Sequence, residues 1–361
     1  MMRAIGASAL LDSRVRDRVR REPRVAYVGA ARSLNVGDRA MFDVVRSLIP
    51  SVRWIPAEAA VWERRLSRVG LSGRRYFSLA VLGGGTMMNA YSEAIVETLL
   101  DAGVRFVSLG TGAGSGGWDL PPGFDLSRWT GLLRRFEWVT ERGPRTQHAL
   151  QEVRFSAASA IGDLALAYTK ANPAPAAGRP RRLVYNVIEQ GPRETWNPSV
   201  MEALGRTVSR RANEGWEIVA LAMYPSDRAV CESLAGRHGF ALTDIIEPRT
   251  GWELVDALEA ATLVVSMRLH GVVFATAAAT PVVSLGYRAK CDDFMESVGA
   301  ESALLPIDVS GATPAIVDLL NTRIGWAVEH ASEVHRRALA HAHEIRRRAD
   351  SIAVLAAQEQ R

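Results

Sequence analysis

Residues 262–294 constrain the fold more tightly than any other stretch of the chain. Thr262 to Val265 is a short apolar run without polar alternation, the pattern of a parallel strand covered on both faces. It breaks at Ser266-Met267-Arg268-Leu269-His270-Gly271 and resumes as a small-residue helix, Val272 to Ala279. Pro281 opens a second apolar strand, Val282 to Leu285, which runs into Gly286-Tyr287-Arg288-Ala289-Lys290. Strand, turn, helix and strand in this order belong to an α/β sheet, and such sheets bind ligands at the carboxyl ends of their strands. That edge receives Arg268 and His270 from one turn, then Tyr287 and Lys290 from the next. If strand geometry persists through the turn, Arg268 and His270 share a face. A guanidinium, an imidazole and an ammonium converging on one crevice suit an anionic substrate that also needs proton transfer.

The same punctuation recurs upstream. Val25 to Val28 runs into Gly29, Leu79 to Leu82 into Gly83-Gly84-Gly85, and Val104 to Leu109 into Gly110-Thr111-Gly112. Repeated strand–glycine–helix units predict a Rossmann-like parallel sheet. At 361 residues the chain exceeds the roughly 250–300 at which single cores stop growing, so two such domains are expected. The Pro-, Ala- and Gly-rich stretch 172–181 is the linker candidate. It separates a first domain, 24–171, from a second, 182–312, which carries the Arg268–His270 turn. Residues 313–361 have apolar positions at helical spacing (Ile316, Leu319, Leu320, Ile324, Ala327) and predict a C-terminal helical segment. Residues 1–23 read as a basic arm with a thin apolar stripe, Leu10, Leu11, Val15 and Val19, that docks onto the body or a membrane surface.

Several other positions are candidates for ligand contact. Asn35, Gly37 and Asp38 form a strand-to-helix turn, with Asp38 read as the N-cap of a helix reaching Leu48. Gly84 and Gly85 let backbone amides approach an anion, though neither glycine run is a Walker loop or a dinucleotide fingerprint. Arg142 and Arg145 flank Gly143-Pro144 before a helix start, and Arg142 is the better candidate for the cleft. His330, His335, His341 and His343 read as solvated positions, and His148 and His238 have no neighbours that suggest a role. No cluster has metal-ligand spacing, and neither metal nor cofactor is expected.

Composition narrows the classes. Hydrophobic residues make up 48% and charged residues 23%, which describes an ordinary globular protein, and no apolar run is long enough to span a bilayer. Cys231 and Cys291 form no disulfide framework, so a reduced, cytoplasmic setting is expected; the basic balance leaves peripheral contact at the inner membrane face open beside a merely compositional origin. The net charge of +5 comes almost wholly from arginine, Lys170 and Lys290 being the only lysines. The arginines are scattered among acids without a recognition motif or stacking platform, which argues against nucleic acid.

The order of these pieces resembles the polysaccharide pyruvyl transferase family: Asn35-Val36-Gly37-Asp38, Gly83-Gly84-Gly85, Arg142-Gly143-Pro144-Arg145-Thr146, Ile161-Gly162-Asp163, Ser266 to Gly271, then Tyr287-x-x-Lys290. The resemblance implies the glycosyltransferase-B-like arrangement, two Rossmann-like domains facing across a cleft. It also implies phosphoenolpyruvate as donor, and a glycan or lipid-linked oligosaccharide as acceptor that receives a pyruvate ketal. His270 would be the acid or base. Arg268, with Lys290 and Tyr287, would hold the anion. The sequence lacks the proline that often follows the aspartate of Gly162-Asp163, a local difference. The competing reading is a nucleotide-sugar glycosyltransferase. Phe274 and Ala279, where many retaining enzymes of that architecture carry a ribose-binding glutamate and a glycine, argue against that subgroup.

Overall fold

The computed structural model describes residues 25–31, 33–49, 52–54, 77, 79–113, 125–174, 178–191 and 196–358; the expected arm over 1–23 lies outside them. The first half contains β1 (Val25–Val28), β2 (Val52–Trp54), β3 (Leu79–Leu82), β4 (Gly85–Met88), β5 (Arg105–Ser108), β6 (Thr111–Ala113), β7 (Val139–Glu141) and β8 (Ala158–Ala160). The second contains β9 (Arg182–Asn186), β10 (Glu217–Leu221), β11 (Asp244–Ile246), β12 (Leu263–Ser266), β13 (Val282–Gly286) and β14 (Leu304–Pro306). Every pairing between these strands is parallel. The six strands of the second half form one sheet, in the order β11-β10-β9-β12-β13-β14. The first half forms two sheets of four, β2-β1-β3-β5 and β4-β6-β7-β8. Glycines explain the split. Strand β3 stops at Gly83-Gly84 and resumes as β4, and β5 stops at Leu109-Gly110 and resumes as β6, with Gly110 at φ +61°.

The continuous apolar runs sit where that pattern requires. All four residues of β1, of β3 and of β12 are buried, because helices cover both sheet faces. One apolar core runs through both halves, joining Tyr27, Met41 and Leu164 to Val265, Phe274 and Leu285. The helix Val36–Leu48 turns Val36, Gly37, Ala40, Met41, Val44 and Val45 into that core. Its cap differs from expectation. Asn35, not Asp38, is the N-cap, and its side chain accepts from the Gly37 amide. Asp38 lies within the first turn, where its Oδ2 accepts from Ser33 Oγ at 2.8 Å.

The C-terminal segment is a single helix, Thr313–Gln358, which leaves the second half and crosses back to the first. Arg346 Nη2 donates to Ala167 O at 2.7 Å, and the Arg348 guanidinium lies 5.5 Å over the Trp138 ring. This crossing also corrects the reading of its histidines as solvated. His335 is buried, with its ring nitrogens 3.1 Å from Thr276 O and from Lys170 O. His341 is partly buried against Ser297 O, His330 stacks on Trp326, and His343 alone of the four is exposed. Helical spacing showed one face of this helix, but not which element would cover the other. Among the described residues no helix is long and apolar enough to cross a membrane.

Candidate active site

At the carboxyl end of β12 the chain turns sharply. Met267 N donates to Asn186 O, and Arg268 N donates to the Asn186 side-chain oxygen at 2.9 Å, pinning the turn to β9. Arg268 is still extended (φ −65°, ψ 123°), and the helix Leu269–Ala277 begins directly after it. His270 is therefore in a first helical turn rather than on a strand end. The expectation that Arg268 and His270 share a face fails for that reason, since the helix rotates the second side chain away from the first.

The two residues serve different partners. Arg268 grips Asp227 bidentately within the second half, Nη2–Oδ1 at 2.6 Å and Nε–Oδ2 at 3.1 Å. Asp227 is fully buried and also accepts from the amides of Met223 and Tyr224 and from Asn186 Nδ2. Burial works against the Arg268 charge, but the hydrogen bonds it donates to Asp227 prevail and hold its pKa above the ordinary guanidinium range. Tyr287 and Asp38 also lie within its electrostatic reach. Two of its three guanidinium nitrogens are committed to Asp227, while Nη1 has no protein partner among the described residues.

His270 instead crosses to the first half. Its Nδ1 lies 3.9 Å from Asp38 Oδ1, and its Nε2 lies 3.8 Å from Asp163 Oδ1. The ring is nearly buried and Asp163 fully so, yet His270 Nε2 and Asp163 Oδ2 have no hydrogen-bond partner. Asp163 Oδ1 also accepts from Ala165 N at 2.9 Å, which caps the short helix Leu164–Tyr168 and fixes the carboxylate. Gly37 is the residue that admits the imidazole, because a Cβ there would fall 2.2 Å from His270 Cγ. The Asn-x-Gly-Asp turn therefore supplies a cap (Asn35), a space (Gly37) and a charge (Asp38).

Tyr27 completes this wall. Burial, then the nearby Asp38 and Asp163 carboxylates, push its phenol far above the ordinary tyrosine range, while a hydrogen bond with the Gly84 backbone acts the other way. Gly29 and Gly83 make room for its ring, which would lie within 2.7 Å of a Cβ at either position. Around Gly84 stand Met41 Sδ and Leu164, while Gly85 needs its glycine for φ +92°. These glycines face the packed side of the cleft wall.

Tyr287 has two cations near its ring, the Arg288 guanidinium 4.9 Å from the ring centre and Lys290 Nζ at 5.6 Å. Arg142 lies elsewhere. It is buried, with Nε 3.5 Å from Asp293 Oδ2, an ion pair too long for a good hydrogen bond. Asp293 comes from the helix Ala289–Ser297 of the second half and accepts from Arg145 N, Thr146 N and Thr146 Oγ1, capping the helix Pro144–Glu152 of the first. Beside it Glu141 is fully buried with both oxygens unpartnered, and burial pushes its carboxyl up to about 8, with the Asp293 charge adding to the effect.

Of the residues expected from the sequence, the structure gathers His270, Asp38 and Gly37 at one point, with Asn35 supporting them. Arg268 and Tyr287 adjoin them, Lys290 stands beside Tyr287, and Arg142 is drawn off to Asp293. Sequence reasoning missed Asp163, Tyr27 and Glu141 as functional candidates. Asp163 left one trace, the Ile161-Gly162-Asp163 turn after a strand, which reads as local geometry until His270 is placed opposite. Among the described residues no group of three or more His, Cys, Asp or Glu could hold a metal ion.

The architecture is that of the glycosyltransferase-B-like proteins. The chain is similar to a sucrose-phosphate synthase from Thermosynechococcus elongatus (TM-score 0.57, 12% identity, 92% of this chain and 98% of that one). It is similar also to the glycotransferase of kitacinnamycin (0.53, 15%, 94% and 100%) and to S. aureus MnaA solved with UDP (0.54, 14%, 87% and 92%). At these identities the likeness is one of fold. Within that class the chain belongs to the polysaccharide pyruvyl transferase family, whose model matches residues 30–288. No curated protein matches it. The position that would bear a ribose-binding glutamate in many retaining glycosyltransferases, Phe274, is fully buried with its ring 5.4 Å from that of Tyr168.

Proposed function

We propose that the protein transfers the pyruvyl group of phosphoenolpyruvate to a sugar, forming a ketal on a cell-surface polysaccharide or its lipid-linked precursor and releasing phosphate. One observation carries the reading: His270 stands between two carboxylates of the opposite half, and its Nε2 and the Asp163 Oδ2 are both buried without a hydrogen-bond partner. That arrangement suits proton transfer at a substrate held in the seam.

In the first step His270 gives a proton to the methylene carbon of the donor, leaving a cation stabilised by oxygen at the neighbouring carbon. A sugar hydroxyl attacks that carbon, passing its proton to the phosphate oxygens directly or through Asp38. Breaking the carbon–oxygen bond expels phosphate, and a second hydroxyl of the same sugar closes the ketal, its proton returning to His270. One hydroxyl proton ends on the new methyl group and the other on phosphate. Asp163 orients the ring and offsets its charge. Arg268 through Nη1, with Lys290 and Tyr287, meets the carboxylate and phosphate of the donor at the strand ends. Arg142 enters as a positioning residue held by Asp293, and Gly84 and Gly85 as wall rather than ligand.

The test is incubation with phosphoenolpyruvate and a panel of glycosides, reading phosphate release together with the mass gain of a pyruvyl ketal. Both signals are expected with at least one glycoside. Thermal stabilisation by a nucleotide-sugar, with none by phosphoenolpyruvate in the presence of acceptor, would overturn the assignment in favour of glycosyl transfer.

A further inference from the structure

Six large hydrophobic side chains stand exposed among the described residues, and three of them lie along one seam beside His270: Leu34 at 62%, Tyr224 at 37% and Trp252 at 53%. Two hydrogen bonds between the halves place them there. Val36 N donates to Met223 O at 3.3 Å, joining the turn that carries Leu34 to the loop that carries Tyr224. One helical turn further on, Arg39 Nη2 donates to Arg249 O at 3.4 Å, three residues before Trp252.

Both aromatic rings are held in place before anything binds. Tyr224 lies 5.4 Å from the Arg268 guanidinium, and its amide donates to the buried Asp227 carboxylate. Trp252 rests edge-on against Tyr168 with centroids 4.9 Å apart, at the start of the helix Gly251–Glu259. Solvent-facing rings already packed on one side lose less entropy when a partner covers them than free side chains do. Aromatic faces carry partial negative charge and attract the weakly positive C–H face of a pyranose, while arginines at the rim suit its hydroxyls. Arg39 also donates to the carbonyls of Ser33 and Leu34, stiffening the near lip.

We propose that this strip is the acceptor track, on which two sugars of the oligosaccharide stack, one on Tyr224 and one on Trp252. Tyr224, on Arg268, stacks the sugar presented to His270, and Trp252 stacks a ring further along the chain. The proposal rests on the pyruvyl transfer reading for the identity of the acceptor but not for the binding itself. The experiment is therefore direct binding without donor, by calorimetry and saturation-transfer NMR. Its probes are methyl glycosides of glucose, galactose and mannose, and the corresponding β-linked di-, tri- and tetrasaccharides.

For at least one series, affinity is expected to rise at least fivefold from monosaccharide to trisaccharide. Trp252→Ala should abolish that rise while leaving monosaccharide binding within twofold. Tyr224→Ala should weaken every member of the series at least fivefold, whereas Tyr224→Phe keeps the stacking face and should bind as wild type does. Affinity independent of chain length, a rise that survives Trp252→Ala, or no binding to any probe overturns the proposal. So does Trp252-dependent binding to anionic phospholipid vesicles without oligosaccharide binding, which would make the strip a membrane contact. Phosphate release from phosphoenolpyruvate is measured separately. Its absence alongside length-dependent binding would sink the reaction and leave the track standing.

Discussion

At the scale of single residues, the site depends on one histidine and the small space that admits it. His270→Gln keeps a hydrogen-bonding side chain but removes the titrating group, so turnover should fall by about 10²–10⁴-fold while donor affinity is largely kept. A pH–rate profile that retained both limbs in this variant would make the histidine structural. Asp163→Asn preserves the cap on Ala165 N but removes the charge 3.8 Å from His270 Nε2. It should lower kcat at least tenfold with little change in folding, and unchanged kcat would show that the buried carboxylate serves the turn alone. Gly37→Ala tests the space itself. The added Cβ would lie 2.2 Å from His270 Cγ, so the ring or the helix start must shift. A stability cost of about 1–3 kcal/mol with more than tenfold loss of turnover is expected. Near-normal kinetics in Gly37→Ala would mean that His270 does not work from this position.

At the scale of elements, β7 carries a buried acid that has no obvious partner. Glu141 keeps its proton in the native protein up to about pH 8, whereas its ordinary value is 4.5. Between those values the folded state binds more protons than the unfolded one. Stability from this group is thus fully present below about pH 4.5 and is lost progressively as the pH rises to about 8. Glu141→Gln cannot lose the proton. Its advantage over wild type in urea denaturation should therefore grow across this window, by up to about 1.4 kcal/mol per pH unit, and level off above it. A constant difference between the two proteins from pH 5 to 8 would show that the carboxyl is not held neutral. The turn after β12 makes a related point. Its strand, helix and following strand were all legible from apolar runs and Pro281. The register of the helix start was not: the helix begins at Leu269 rather than Val272, and those three residues decide where His270 points.

At the scale of the whole molecule, the halves are joined by polar contacts made from opposite sides. Asp293 reaches from the second half to cap the helix Pro144–Glu152 and to neutralise buried Arg142, while Asp38 and Asp163 reach from the first half to His270. Asp293→Ala should leave Arg142 buried and uncompensated and remove a helix cap, costing about 3–5 kcal/mol. Read by thermal unfolding, that loss should appear with the same midpoint change in the presence and absence of phosphoenolpyruvate. A variant with wild-type stability would show that this junction contributes nothing to holding the halves.

The sequence by itself determined the parallel-sheet class, the two halves, the long C-terminal helix and the polar residues at the strand ends. These follow from apolar runs, glycine punctuation and helical spacing, which are local in the chain. The partners of those polar residues were decided by tertiary structure alone. Arg268 and His270 are two positions apart yet answer to Asp227 and Asp163, which lie 41 residues before the arginine and in the opposite half respectively. Arg142 precedes a helix start, as a donor-binding arginine would, but the second half places Asp293 against it. His335 looked solvated in a basic helix and is buried where that helix crosses the junction. Charge and residue type identify groups able to bind or transfer a proton. Only the packing of one half against the other fixes which carboxylate each cation meets, because Coulomb energy and hydrogen bonding fall off over a few ångströms that the linear chain does not encode.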